Sequence, residues 1–386
     1  MNALPDSVTA ERDVDDKINL LILVAALGIG GAEVVVQRLV QTLDRRRFNV
    51  TIGCIKGSGP IAMELARQGT DVVVLSKGDT RKNGYLSFIR LLRLVRDKRI
   101  HVVHTHTTDS LVDAALCKLF APKLKLIHTF HFGNYPHRPW QTLLMERISS
   151  RLANRLVAVG EAQRQQLISV YRFRDSAIQR VWNGVVCKPT RSGDAFRRSI
   201  GASGKILIGT TATLTEQKGL FDFLAVARLL VQETDNLRFV IVGDGNLRGP
   251  LEAARRDLGL EESVVLAGWI KDASDVALPS FDIFFQPSLW EAMSISLLEA
   301  MAAGKATVAT RVGETPYIID DGVDGLLVQP RDVNGMAAVL RRLIDDSELR
   351  NRLGRAAANK ARQRLTVGEM TRAYEQLYLA TAGAGS

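Results

Sequence analysis

Residues 281–310 read FDIFFQPSLWEAMSISLLEAMAAGKATVAT. A short apolar run of strand type, FDIFFQPS, breaks at Pro287-Ser288. An alanine-rich helical stretch follows, and a second apolar run begins at Ala306. Strands this apolar, separated by a helix, mark buried parallel strands in an α/β layer. A helix that starts after such a break has backbone N–H groups without intrahelical partners. That end favours an anion, a phosphate above all. Glu291 and Glu299 stand eight positions apart beside it, with Met293, Ser294 and Ile295 just after the first. Two carboxylates there can accept bonds from sugar or ribose hydroxyls. Glutamate pairs at this spacing are common on solvated helix faces, so the pair gains meaning only from its surroundings.

The same alternation fills the chain. Strand candidates occur at 18–25, 49–55, 71–76, 102–107, 124–131 and 155–160, and again at 205–214, 238–245, 263–269, 282–288, 306–313 and 324–330. Helical stretches separate them. The two series of about six β–α units meet at a polar, Gly/Ser-rich segment, 187–204. Two Rossmann-like halves facing each other would hold a cleft between the carboxyl ends of their sheets, where open α/β sheets bind ligands. The final stretch TVGEMTRAYEQLYLATA sets Met370, Tyr374, Leu377 and Tyr378 at helical spacing, which predicts a packing stripe.

At 386 residues, with 46% hydrophobic and 24% charged residues, the chain has the composition of a globular protein of two domains. It contains no uninterrupted apolar run of about 18 residues, so no spanning helix is expected. The first 16 residues carry four aspartates and a glutamate and read as a disordered tail. Cys54, Cys117 and Cys187 have no metal spacing, which suits a reduced, cytoplasmic protein. The net charge of +10 is uneven. Residues 1–185 hold 27 Lys plus Arg against 16 Asp plus Glu, and the remainder 24 against 25. Arg90, Arg93, Arg96, Lys98 and Arg99 cluster on or near one helix. Such a face suits an anionic surface such as lipid headgroups, and a solvated helix face is its ordinary alternative. Few aromatics and no recognition motif speak against nucleic acid.

Three further turns carry chemistry. After the first strand, LGIGGAE supplies Gly28, Gly30, Gly31 and Glu33 at a strand–helix junction, where backbone can approach a phosphate. The pattern departs from the dinucleotide fingerprint, and Cys54-Ile55-Lys56 stands where a ribose-binding acid would close the next strand, which argues against NAD. After the first strand of the second series, TATLTEQKG places Lys218 where it can neutralise a diphosphate. VGDGNLRG then sets Gly243 and Gly245 on another strand–helix turn. Lys218, Gly243 and Glu291 should lie at one end of one sheet. All six histidines fall between His101 and His137. A metal site is one reading. The other is a set of neutral side chains along the cleft, with His131 the best candidate, His128 a core residue and His101 on the surface. The one Asp-x-Asp, Asp13–Asp15, sits in the acidic tail and is given no metal role.

Taken in order, GIGGAE, HTHTTDSLVDAAL, HTFHFG, VWNGV at 181–185, TLTEQKG, VGDGNLRGPL and QPSLWEAMSISLLEAMAAG resemble glycosyltransferase family 4, the retaining GT-B enzymes that use nucleotide sugars. The likeness covers nearly all of the chain after residue 18. It implies an acceptor-binding domain over 17–188, joined by a returning helix at 366–382, and a nucleotide-sugar-binding domain over 189–365. It also implies roles. Glu299 would bond the ribose, and Glu291 with the amides of Met293, Ser294 and Ile295 would hold the donor sugar and phosphate. Lys218 and the amides at Gly30 and Gly31 would meet the diphosphate, His131 would lie beside the sugar, and Asn183-Gly184-Val185 would approach the hinge. No cofactor or metal is implied. The donor would be a UDP sugar ahead of a GDP sugar. The acceptor would be a glycan or lipid-linked precursor of a cell-surface polysaccharide, met in the cytoplasm at the inner membrane face.

Two positions depart from the family pattern. Thr213 stands where an arginine often contacts the diphosphate, leaving Arg248 as an alternative cation. The glutamate often found after the following VGG-type turn is replaced by Tyr317 in RVGETPYII. Two other functions share this architecture. A nucleotide-sugar epimerase would need acid/base carboxylates around the sugar. A degenerate transferase would act only as a binding partner.

Overall fold

A computed structural model of the chain describes residues 17–28, 30–76, 87–189 and 192–383. The expected tail and Asp13–Asp15 lie outside them. The first domain is a seven-stranded sheet of β1 (Ile18–Val24), β2 (Phe48–Cys54), β3 (Asp71–Val74), β4 (Val102–Thr105), β5 (Lys125–Phe130), β6 (Arg155–Ala158) and β7 (Ile178–Arg180). Its order is β3-β2-β1-β4-β5-β6-β7, with every pairing parallel. The intervening helices are α1 (Gly31–Thr42), α2 (Pro60–Arg67), α3 (Ser87–Asp97), α4 (Thr108–Phe120), α5 (Trp140–Ser150) and α6 (Glu161–Tyr171). The seventh strand has no counterpart among the sequence candidates. Only Ile178 of its three residues is buried, so it carries no apolar run.

The second domain begins with α7 (Asp194–Ser199) and is built on β8 (Ile206–Thr211), β9 (Leu237–Val242), β10 (Val264–Gly268), β11 (Ile283–Gln286), β12 (Ala306–Thr310) and β13 (Leu326–Val328). These pair in the order β10-β9-β8-β11-β12-β13, again all parallel. Its helices are α8 (Leu220–Val231), α9 (Arg248–Asp257), α10 (Ala273–Val276), α11 (Ile295–Ala302), α12 (Thr315–Ile318), α13 (Val333–Asp345) and α14 (Ser347–Arg364). Each sheet reverses its strand order once, between β1 and β4 and between β8 and β11. Loops leaving two such strands diverge to opposite faces and open a crevice. The family-like motifs sit at these two places.

The last helix, α15 (Val367–Gly383), returns to the first domain. Met370, Tyr374, Leu377 and Tyr378 are buried with Val36, Leu39 and Phe48 of α1 and β2 in one core. The two chain crossings run side by side. Val185 forms a parallel bridge with Thr366, Val185 N–H donates to Leu365 O at 2.7 Å, and Val367 N–H donates to Val185 O at 3.0 Å. This leaves no room beside Gly184, where a Cβ would stand 2.5 Å from the Val367 Cα. The clash is with backbone, which cannot rotate away. Gly184→Ala should therefore destabilise the fold by about 1–3 kcal/mol, read as a fall in the thermal midpoint. An unchanged midpoint would contradict the packing of the crossing.

Candidate active site

Two helix N-termini meet across the cleft. α1 begins at Gly31 with no side-chain cap on its first amides. α11 begins at Ile295, capped by Ser294, which accepts from Leu297 N–H and donates to Gln286 Oε1 at 2.6 Å. A Cβ at Gly31 would lie 3.7 Å from Ile295 Cγ1, so the two ends are in contact range. Their partial positive charges add over a short distance, which makes the gap suited to a strong anion. The helical restart expected at Ser288 comes at Ile295 instead. Residues 287–294 form an irregular loop that carries Glu291 and Met293.

Lys218 and Glu291, assigned separate tasks from the sequence, are paired with each other. Lys218 Nζ lies 2.6 Å from Glu291 Oε1, and both are largely buried. Ser288 Oγ donates to the same oxygen at 2.9 Å, and Gln217 Nε2 to Oε2 at 3.0 Å. Four lone-pair directions of a buried carboxylate are thereby mostly satisfied, as burial requires. From the other domain, a Cβ at Gly133 would stand 2.1 Å from Ala292 N. The loop of β5 that follows His131 therefore packs directly on the Glu291 backbone.

Glu299 faces a cleft of about 940 Å³ lined by α1, α2, the 269–279 segment and α11. Arg38 of α1 pairs with its carboxylate across the domain boundary and also donates to Gly184 O at 3.1 Å. Burial raises the Glu299 carboxyl above the usual carboxylate range, and the Arg38 guanidinium opposes that rise. Arg38 was not found from the sequence. Its position two helical turns beyond Gly31, on the same stripe of α1, is the signal that could have found it. Trp269, half exposed, and Lys271 line the same cleft and were likewise missed.

Four histidines form a column, with His104, His106 and His128 buried and His131 partly exposed at its end. His104 lies between Tyr378 OH (2.7 Å from Nδ1) and Thr129 Oγ1 (2.8 Å from Nε2), and its ring centre is 4.0 Å from that of His106. His106 Nδ1 is 3.0 Å from His131 Nε2, and His128 bonds Thr105 Oγ1 at 2.8 Å. Burial pushes all four rings down, His131 to about 4 and His128 to about 3, with neighbouring histidines adding to the effect on His104, His106 and His128. They are neutral donors and acceptors at neutral pH. His101 is exposed and accepts from Asn19 N–H at 3.0 Å.

Gly243 and Gly245 have a packing reason for lacking side chains. A Cβ on Gly243 would lie 1.9 Å from Ala212 O, and one on Gly245 2.6 Å from Leu214 O. These two turns interlock at the carboxyl ends of β9 and β8, next to β11, so Lys218, Gly243 and Glu291 do share one end of the sheet. Thr213 is exposed on the same turn. Arg248 is engaged by Glu252 at 3.0 Å and Asp244 at 3.8 Å, which limits it as a replacement cation. Glu314, just before Tyr317, is fully buried. Its carboxylate accepts from Trp182 Nε1 at 2.7 Å and from Ala162 N–H at the start of α6 at 3.0 Å, tying the domains together.

Two facing Rossmann-like domains with converging helix ends define the GT-B fold. Two family models match in succession, Glycosyltransferase Family 4 over residues 29–188 and Glycosyl transferases group 1 over residues 183–360, and the chain belongs to this family of glycosyltransferases. The Escherichia coli UDP-Gal:alpha-D-GlcNAc-diphosphoundecaprenol alpha-1,3-galactosyltransferase is 23% identical over 86% of this chain and 89% of its own. The amylovoran biosynthesis glycosyltransferase AmsK of Erwinia amylovora is 30% identical over 55% of this chain and 50% of its own. Anabaena HepE in complex with UDP-glucose superposes with a TM-score of 0.84 at 20% identity, over 94% of this chain and all of that one.

The neutral histidine column makes a stability prediction. Unfolded imidazoles take up protons near pH 6.5, whereas the buried rings resist until the pH is far lower. The unfolded state thus binds more protons below that pH, and stability falls as pH drops. From about pH 7 to about pH 5 the loss should be on the order of 1–2 kcal/mol per buried ring. Calorimetric midpoints at the two pH values check this, and equal midpoints would reject the neutral column.

Proposed function

We propose that this glycosyltransferase moves a sugar, with retention, from a UDP sugar to a glycan or lipid-linked acceptor of a cell-surface polysaccharide. The observation that carries the reading is the meeting of the α1 and α11 N-termini beside the Lys218–Glu291 pair. A sugar–diphosphate bond breaks when the departing charge is met by preorganised donors. The amides at Gly30 and Gly31, those of Met293, Ser294 and Ile295, and Lys218 supply them without a metal. Lys218 exchanges part of its contact with Glu291 for phosphate, and Glu291 turns toward the sugar hydroxyls. Gln217 and Ser288 keep that carboxylate in place as it does so. His131, neutral, hydrogen-bonds the sugar rather than adding charge. Glu299 takes the ribose, with Arg38 holding it in position. The departing phosphate then accepts the acceptor's proton on the same face of the sugar. UDP ahead of GDP is favoured by likeness to HepE, whose complexes hold UDP, UDP with glucose, and UDP-glucose. The lipid-linked acceptor is supported by the likeness to the E. coli relative named above, and the enzyme is proposed to meet it in the cytoplasm at the inner membrane face.

Incubation with a panel of UDP, GDP and ADP sugars and a glycan-lipid extract should release free UDP and give an elongated lipid. A new nucleotide sugar without free nucleotide would make the protein an epimerase instead. Glu299→Ala should weaken UDP binding by about 1.5–3 kcal/mol, the worth of a charge-assisted acceptor, while Glu291→Ala should depress turnover more than UDP affinity. Calorimetric titration with steady-state rates separates the two, and normal values for both variants would remove these glutamates from the site. Activity should also survive EDTA. Loss on chelation with recovery on Mn²⁺ or Mg²⁺ would contradict the metal-independent mechanism.

A further inference from the structure

We infer that the outer face of α4 and α5 docks on an anionic lipid bilayer, an inference that rests on the lipid-linked acceptor proposed above. α5 is amphipathic in the reverse sense of an ordinary surface helix. Trp140, Leu144, Met145 and Ile148 recur along one stripe, and all are exposed, Trp140 at 69% and Ile148 at 57%. The inward stripe carries Glu146, Ser149 and Ser150, all buried.

This orientation is held in place from beneath. Glu146 accepts from Tyr135 OH at 3.0 Å and Tyr171 OH at 2.6 Å, and also from Thr108 and Arg138. Rotating α5 to hide its apolar stripe would strip a buried carboxylate of four donors. Beside α5, the end of α4 adds Leu116, Leu119 and Phe120, the last at 66% exposure. Seven of the sixteen large apolar side chains exposed among the described residues thus lie on these two neighbouring helices. A patch so concentrated marks an interaction surface.

Charge selects the occupant. From residue 110 to 160 the acidic residues are Asp113 and Glu146, and neither is exposed. Lys123, Arg151 and Arg155 are exposed at the border of the patch, with Arg93 and Arg96 of neighbouring α3. The exposed acids at the ends of the neighbouring helices are Asp109, at the start of α4 and paired with Lys56, and Asp97, at the end of α3. An apolar stripe with tryptophan, bordered mainly by cations, matches an interfacial helix on anionic lipid. A second copy of the same face would bring like charges together. The basic cluster on α3 contributes less than its sequence suggests. Arg90 is spent on Leu75 O at 2.7 Å and Lys98 on Asp71 at 2.7 Å. Trp140, at the start of α5, follows by seven positions the Gly133 that packs on the Glu291 backbone.

The test uses the full chain with vesicles of phosphatidylglycerol and phosphatidylcholine, and of phosphatidylcholine alone. The wild type should co-sediment with the anionic vesicles and weakly or not at all with the neutral ones. The double variant Leu144→Glu, Ile148→Glu should reduce the anionic partition by roughly tenfold or more. Its UDP affinity and thermal midpoint should be unchanged, since both positions are on the surface. Wild type that does not bind, or a double variant that binds equally, overturns the inference. So does a wild-type dimer that the double variant dissociates, which would make the face a contact between copies. Vesicle binding lost in the variant, with no transfer from any UDP sugar by the wild type, would leave the docking face standing and reject the transferase reading alone.

Discussion

A carboxylate removed from water must find donors, and four glutamates set much of this architecture by that constraint. Glu146 gathers donors from α4, α6 and the loop before α5, and so sets the rotation of α5. Glu291 gathers Lys218, Gln217 and Ser288, and so joins the loops leaving β8 and β11. Glu299 and Glu314 reach across the domain boundary, to Arg38 and to Trp182 with the amide of Ala162. Breaking any one of these sets leaves a charge without compensation. The domains therefore meet in one arrangement, closed around the gap between two helix ends.

Two electrostatic regions result. Around Gly31, Lys218 and Ile295, amide dipoles and a cation favour negative charge. The column of His104, His106, His128 and His131 is polar but neutral, because burial outweighs the tendency of imidazole to protonate. A charged diphosphate and an uncharged sugar differ in just this way. The tyrosines of α15 extend the neutral column. Tyr378 bonds His104 and Tyr374 bonds Thr129, so the returning helix holds the histidine column as well as the apolar core.

The fold was largely legible in the sequence, since buried parallel strands must be apolar along their whole length. Twelve of the thirteen strands follow from that rule. The seventh, Ile178–Arg180, escaped it because an edge strand with two exposed residues has no apolar run. Gly184 was legible only as part of a motif, and its contact with the Val367 backbone is a property of two segments about 180 positions apart.

The site was legible in part. The sequence by itself determined the two parallel sheets, the turns at Gly31, Lys218 and Glu291, and the neutral or buried character of most of the histidines, because these depend on local pattern. Tertiary structure alone decided that Lys218 and Glu291 bond each other, that Arg38 reaches Glu299, that Glu314 joins the domains, and that α5 turns its apolar stripe outward. Each of those is an interaction between charged or apolar groups distant along the chain. Their partners are chosen by where burial leaves an unsatisfied charge, and no local spacing records that.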